Sequence, residues 1–345
     1  MSLKKNDEIK LNIESVTSEG SALGRYNGLA VFVFGAVPGD VVEAHIIKVS
    51  KNYAVGIIKE IIEKSPFRIE SDCPVSDKCG GCTFRSMTYE KELQSKLDFV
   101  NGNMERIAKL PIRCEEIIGA SDILRYRNKA QYPVCIQGNG FCAGFYAYKS
   151  HRIVPAADCL LQPAEFKAGV EAFEKWALAA NVSSFDEKSG RGLLRHIYFR
   201  KAFATGEIMA CAVINGSSVP EPQMLVSFLQ SALPGLKSVV LNINKNKTNV
   251  ILGEKTKLLW GSEKITDMLL GKKFIISPQS FYQVNHAQCE KLYSAAAELA
   301  GLSGSETVLD MYCGAGTVGI SLSDKCKSLC GIEIVPQAVE NAIEN

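Results

Sequence analysis

The sequence predicts a multidomain protein: a small N-terminal β-barrel of OB-like type, a central α+β domain with a cysteine loop, and a C-terminal α/β domain of Rossmann type that stops short within the 345 residues. Three observations lead there. They are short alternating strands over residues 8–61, the spacing Cys73-x5-Cys79-Gly80-Gly81-Cys82, and a strand, glycine loop and helix over residues 307–319. The expected boundaries are 1–62 for the barrel, 63–273 for the central domain and 274–345 for the last.

The barrel is read from runs such as Ile9-Lys10-Leu11-Asn12-Ile13 and Leu29-Ala30-Val31-Phe32-Val33, separated by turns containing Gly, Pro and Ser. Alternation at period two gives each strand one apolar face, and a barrel of this size closes its own edges. Its exposed face and loops suit single-stranded nucleic acid, with a purely structural barrel as the alternative.

With no apolar N-terminal signal region and no run long enough to cross a bilayer, the chain is expected to be cytoplasmic, with no membrane partner. Disulfides are rare in that compartment, so clustered cysteines point to metal or chemistry. Of the 12 cysteines, Cys135, Cys211 and Cys330 sit in apolar runs and read as core. Cys73, Cys79 and Cys82 do not. One Cys-x2-Cys knuckle with a single upstream cysteine is unlike the paired knuckles of zinc sites and favours a 4Fe-4S cluster. Spacing leaves the fourth ligand open among Cys114, Cys135, Cys142 and Cys159.

Residues 89–108 carry Leu93, Leu97, Val100, Met104 and Ile107 at helical intervals, which predicts an amphipathic helix. Beyond it, β-rich runs at 129–136, 141–154, 196–203, 208–213 and 238–244 mix with helices near 164–180 and 223–230. The net charge of +2 is too small to indicate nucleic acid by itself. Locally, Arg125-Tyr126-Arg127-Asn128-Lys129 joins cations to a ring, a set that can hold phosphate and stack a base or simply form a solvated strand end.

In the last segment a helix over 287–300 leads to the strand Thr307-Val308-Leu309 and then Asp310-Met311-Tyr312-Cys313-Gly314-Ala315-Gly316. Gly314, Gly316 and Gly319 satisfy G-x-G-x-x-G, and Glu333 ends the next strand, placed for ribose hydroxyls. A carboxylate at Asp310 would repel a pyrophosphate, as in NAD, while Asp310 with Tyr312 suits a sulfonium cofactor, S-adenosylmethionine.

Together, the barrel, the cysteine loop, the segment Ser277-Pro278-Gln279-Ser280-Phe281-Tyr282-Gln283-Val284-Asn285 and the glycine loop resemble the RNA uracil-C5 methyltransferases, over essentially the whole chain. The resemblance implies a TRAM barrel, a 4Fe-4S cluster on Cys73, Cys79, Cys82 and Cys159, and S-adenosylmethionine contacts from Gln283, Tyr312 and Glu333. It places Phe281 near the target base and makes the substrate a uridine in 23S rRNA or tRNA. In that family a thiolate adds to C6 of uracil so that C5 can take the methyl group. None of the 12 cysteines matches that nucleophile, which with the general base is expected beyond Asn345. The expectation is therefore a truncated methyltransferase that binds RNA and self-associates through residues 274–345. A catalytically inactive RNA-binding remnant and a radical S-adenosylmethionine enzyme are the alternatives, the last fitting poorly because its cysteines run Cys-x3-Cys-x2-Cys.

Overall fold

The computed structural model describes residues 3–138 and 140–345. Two compact units divide it, Met1–Gly119 and Ala120–Asn345, so the cysteine loop belongs to the same unit as the barrel.

The first unit opens with strands β1 (Glu8–Val16), β2 (Ala22–Tyr26), β3 (Leu29–Phe34), β4 (Val41–Val49) and β5 (Tyr53–Glu63), closed in the order β1-β2-β3-β5-β4. All neighbours are antiparallel except β3 and β5. Alternate residues Ile9, Leu11 and Ile13 point inward with Val31, Val33, Val42, Ala44, Ile46 and Ala54, which is the period-two pattern read from the sequence.

Residues 69–86 then form a loop closed at its neck: Arg68 bridges Met87, and the Thr88 N–H donates to the Phe67 carbonyl at 2.9 Å. That neck is tied to the barrel by one carboxylate. Asp40, fully buried, accepts the N–H groups of Val37 (2.7 Å) and Ser65 (2.9 Å) and the Arg68 guanidinium. Helix α1 (Tyr89–Arg106) follows, with the Thr88 hydroxyl accepting the Lys91 N–H. Its apolar stripe is shallower than the pattern predicts, since Val100 and Ile107 are exposed and only Asn101 is buried.

The second unit is built on a seven-stranded sheet in the order β12-β11-β10-β9-β6-β7-β8. Its strands are β6 (Lys129–Gln137), β7 (Gly140–Tyr146), β8 (Ile153–Pro155), β9 (Leu194–Lys201), β10 (Ile208–Ile214), β11 (Leu236–Ile243) and β12 (Lys255–Gly261). The continuous run expected over 141–154 is broken into β7 and β8 by a turn in which Lys149 adopts φ 50°. Only β10 and β11 are parallel, because helix α3 (Pro222–Ala232) makes the crossover between them.

Helix α2 (Glu165–Ala179) and α3 cover one face, where Phe166, Phe173, Trp176 and Phe199 are fully buried. Phe199 stacks on Phe166 (5.2 Å) and meets Phe173 edge-on (5.7 Å). Each such ring contributes about 2–3 kcal/mol by burial. The other face packs Tyr198, Met209, Cys211 and Val213 against the hairpin β13 (Ile265–Leu269) and β14 (Lys272–Ile276), and against helix α4 (His286–Leu299). Burial on both faces explains why β10 reads as an unbroken apolar run, while β9, buried over seven of its eight residues, carries Arg195, His196 and Arg200 into the interior.

Strand β15 (Thr307–Met311) pairs in parallel with β16 (Ser328–Ile332) as a separate two-stranded sheet, with α5 (Thr317–Leu322) between them and α6 (Pro336–Glu344) after. Cys330, read as core, is exposed because this small sheet leaves a face uncovered. Among the described residues no helix is long and apolar enough to cross a membrane.

Candidate active site

The glycine loop follows β15 directly. Tyr312 takes φ 66° and Gly314 φ 56°, a left-handed backbone that is strained for the tyrosine and easy for the glycine, and it leaves the Tyr312 ring 85% exposed. Gly316 (φ 79°) opens α5, and a Cβ there would lie 2.7 Å from Ile320. Two carboxylates hold the loop. Asp310 Oδ2 accepts the Gly319 N–H (2.9 Å) at the start of α5, and Glu333 Oε2 accepts the Gly314 N–H (2.9 Å). The N–H groups of Val335 and Gly314 keep the Glu333 carboxyl below the usual carboxylate range, so it is ionised at neutral pH.

Both acids thus do structural work that the motif alone did not reveal. Burial, with Asp310 and Glu333 nearby, pushes the Cys313 thiol up, and its Sγ would meet a Cβ at Gly331 at 2.9 Å. The sulfur lies over β16, and the thiol stays protonated.

Residues 277–285 form a loop that the seven-stranded sheet grips from below. Arg200, buried in β9, donates through Nη1 to the Ser280 carbonyl (2.9 Å), and Tyr198 Oη donates to the Pro278 carbonyl (3.3 Å). Buried Asn128 donates its amide N–H to the Gln283 carbonyl (2.8 Å) and its backbone N–H to the Val284 carbonyl (2.8 Å). Tyr282 turns inward and donates to Asp267 Oδ2, while Phe281 is left 70% exposed.

Asp267 is fully buried and also pairs with His286 Nδ1 at 3.3 Å, which raises the histidine's pKa. On the far side, Tyr293 of α4 hydrogen-bonds to Gln283 and shares a hydrogen bond with Thr317 Oγ1 (3.1 Å). Gln283 is therefore brought to the start of the α5 turn, next to the glycine loop. Tyr198, Arg200, Asp267 and His286 were missed in the sequence, and Asn128 was read only as part of the basic segment. The available signal was an arginine inside the apolar strand His196-Ile197-Tyr198-Phe199-Arg200.

The basic segment divides by role. Arg125 Nη1 donates to Asp158 (2.7 Å) and to the carbonyls of Cys159 and Gln162 (both 3.1 Å), so this side chain holds a turn and is a poor phosphate ligand. Arg127 bridges Asn285 through its backbone, and its side chain is half-buried. Burial, with Arg200 and Arg127 close by, pulls the Lys129 amine down to about 8.

Cys73, Cys79 and Cys82 all lie on the neck-closed loop, Cys82 exposed and the other two half-buried, while Cys159 sits in the Arg125-held turn. Among the described residues no group of three or more His, Cys, Asp or Glu side chains is gathered as a metal site. The donor chemistry nevertheless fits an iron-sulfur group: soft sulfurs on an accessible loop, with the Gly81 N–H already donating to Cys79 Sγ at 3.4 Å. Cys135 and Cys142 face each other across β6 and β7, and the Cys114 N–H is capped by Asn101.

Comparison with known proteins agrees with this architecture. Residues 3–59 match the TRAM domain. The chain is 41% identical over 344 residues to an uncharacterised RNA methyltransferase of Halalkalibacterium halodurans, covering 99% of this chain and 75% of that one. A second, from Caldanaerobacter subterraneus subsp. tengcongensis, is 41% identical over 343 residues, 99% of this chain and 76% of that one. The crystal structure of Pyrococcus abyssi tRNA (uracil-54, C5)-methyltransferase in complex with S-adenosyl-L-homocysteine superposes with a TM-score of 0.75 at 23% identity, over 97% of this chain and 75% of that one. A relationship of this extent, end to end through barrel, sheet and glycine loop, makes the chain a member of the RNA methyltransferase family.

Proposed function

We propose that the protein transfers the methyl group of S-adenosylmethionine to C5 of a uridine in structured RNA, with 23S rRNA preferred to tRNA. The observation that carries this reading is the pinned loop 277–285, which presents an exposed Phe281 while holding Gln283 beside the glycine loop. S-adenosylmethionine supplies an electrophilic methyl on a sulfonium. The Tyr312 ring faces such a cation, the acids Asp310 and Glu333 with Gly314 and Gly316 shape the nucleoside end, and Gln283 offers its amide. Phe281 stacks on the target base once it leaves its stack. Arg127 and Lys129 follow the RNA backbone, and the barrel over residues 1–62 adds a second RNA surface. The thiolate that adds to C6 is assigned to none of the 12 cysteines here.

Tritium release from RNA carrying uridine labelled at C5 tests the activity, with this chain and with a form extended past Asn345. Release that depends on S-adenosylmethionine is expected from the extended form. No release from either form, on 23S rRNA or tRNA, would remove the uracil-C5 reading.

The same reading assigns a 4Fe-4S cluster to Cys73, Cys79, Cys82 and Cys159. Protein purified without oxygen should contain about four irons, and Cys159→Ala should lose most of them. Full iron retained in that variant refutes Cys159 as the fourth ligand.

In residues 274–345, Leu309, Met311, Ile332, Ile334 and Ile343 are all exposed around the two-stranded sheet. Open strand edges beside apolar surface favour self-association. Light scattering should show the mass rising with concentration, and a constant monomer mass rejects this.

A further inference from the structure

At the end of β9 away from Arg200, the sheet carries a cleft that the reading above does not use. A cavity of about 390 Å³ is lined by Tyr146, His151, Phe185, Glu187, Arg195 and His196, among others. A smaller one of about 190 Å³ shares Phe185, Glu187 and Arg195 with it and extends the cleft to Lys247. The larger lies within the size range of small-ligand pockets, about 300–1,000 Å³.

The cleft is built by a local irregularity. Val213 pairs with His196 but Ile214 pairs with Leu194, so a β-bulge at Arg195 puts consecutive residues of β9 in the same lining. Bulges re-aim side chains in this way and gather near functional sites. Both residues are more than nine-tenths buried, and both keep a buried nitrogen without a hydrogen-bond partner, Nε of Arg195 and Nδ1 of His196. Buried groups left this way are few in native proteins, and here two adjacent ones lie behind the wall of one cleft.

The walls describe a guest. Tyr146 and His151 lie ring against ring at 5.1 Å, and the Arg195 guanidinium covers the Phe185 ring at 4.3 Å, giving flat surfaces on two sides. Burial, with Arg195 beside it, pulls His196 down to about 4, so it is a neutral hydrogen-bonding ring at physiological pH. Glu187 accepts from Tyr146 Oη and pairs with His151, and its charge repels phosphate from the interior. Lys247, at the other end of the cleft, lies over Gly190 and offers a cation there. A flat, neutral, hydrogen-bonding heterocycle with an anionic tail toward Lys247 matches these walls.

We propose that this cleft is an accessory base pocket, taking one unpaired nucleobase from the same RNA a few nucleotides away from the target uridine. The proposal rests on the reading that the protein binds RNA. Arg200, which holds the Phe281 loop, lies four positions after His196 in β9, so the two sites lie about 13 Å apart along the strand.

Fluorescence anisotropy with hairpin RNAs carrying one uridine in the loop, each lacking a single loop base elsewhere, tests it on the full chain. Removing one particular base should weaken binding to the wild-type protein about tenfold, the scale of one base stacked on an aromatic wall. In His151→Ala, a change at an exposed side chain, and in His196→Phe, which fills the pocket, the same removal should cost less than about twofold. If the intact RNAs bind but no base removal distinguishes these variants from wild type, the pocket is wrong while RNA binding stands. If the intact RNAs do not bind at all, the underlying reading fails. Should His196→Phe fail to fold by circular dichroism, His151→Ala decides. Competition by millimolar uridine or adenosine monophosphate that is lost in His151→Ala without any abasic effect would assign the pocket to free nucleotides and overturn the proposal.

Discussion

Replacing Arg200 with methionine should reduce methyl transfer about 100-fold while the seven-stranded sheet stays folded. The guanidinium is 1% exposed and donates to the Ser280 and Ser277 carbonyls, which fixes the turn from which Phe281 and Gln283 project. Methionine fills similar volume but donates nothing, so two carbonyls lose their donor and the loop is free to shift. A displacement of about 1 Å between reacting groups is enough for a loss of that size. Tritium release at saturating S-adenosylmethionine, measured in whichever form shows it, reads the effect, and circular dichroism checks the fold. Arg200→Lys should recover part of the activity, because an ammonium still reaches one carbonyl. Unchanged turnover in Arg200→Met would show that the loop does not need this grip.

Asp40→Ala should cost the first unit about 3–5 kcal/mol, since it removes one member of a buried ion pair and strands the other. Arg68 has a side chain only 12% exposed, and the N–H groups of Val37 and Ser65 would be left with no acceptor. Burial alone would push the Asp40 carboxyl up, but Arg68, Ser65 and Val37 outweigh it and hold the group below its ordinary 3.8. The depressed value means that the stabilisation is complete above about 3.8 and is lost as pH falls through the lower, folded value. Calorimetry should therefore show the gap between wild type and Asp40→Ala at pH 7 and its narrowing below pH 3.8. A gap under about 1 kcal/mol at pH 7 would mean that the neck of the cysteine loop is held by something else. Because Ser65 and Arg68 begin that loop, limited proteolysis in the variant should cut first within residues 69–86.

Much of this architecture could be read from local pattern. The alternation of Ile9, Leu11 and Ile13 reports a strand with one wet face, and the left-handed glycines after Asp310 report a tight turn into a helix, because both signals are written in neighbouring residues. The hairpin of β13 and β14 and the edge strand β12 went unrecognised. Their runs are short, and Lys255-Thr256-Lys257 looks like a solvated loop until β11 pairs with it. Arg125 shows a related ambiguity. A cation beside an aromatic ring has the same composition whether it meets phosphate or, as here, three acceptors of a turn more than thirty residues away.

Composition and spacing by themselves determined the kinds of parts present: a closed barrel, a thiol-bearing loop and a glycine turn after a strand. Each depends on residues close in the chain, where sterics and periodicity act directly. Only the tertiary structure decided how the site is assembled. The grip of Arg200, Tyr198 and Asn128 on residues 277–285, the Asp267–His286 pair and the bulge at Arg195 all join groups distant in sequence. Long-range hydrogen bonds carry no local signature, because a buried polar group is defined by the partner that folding brings to it.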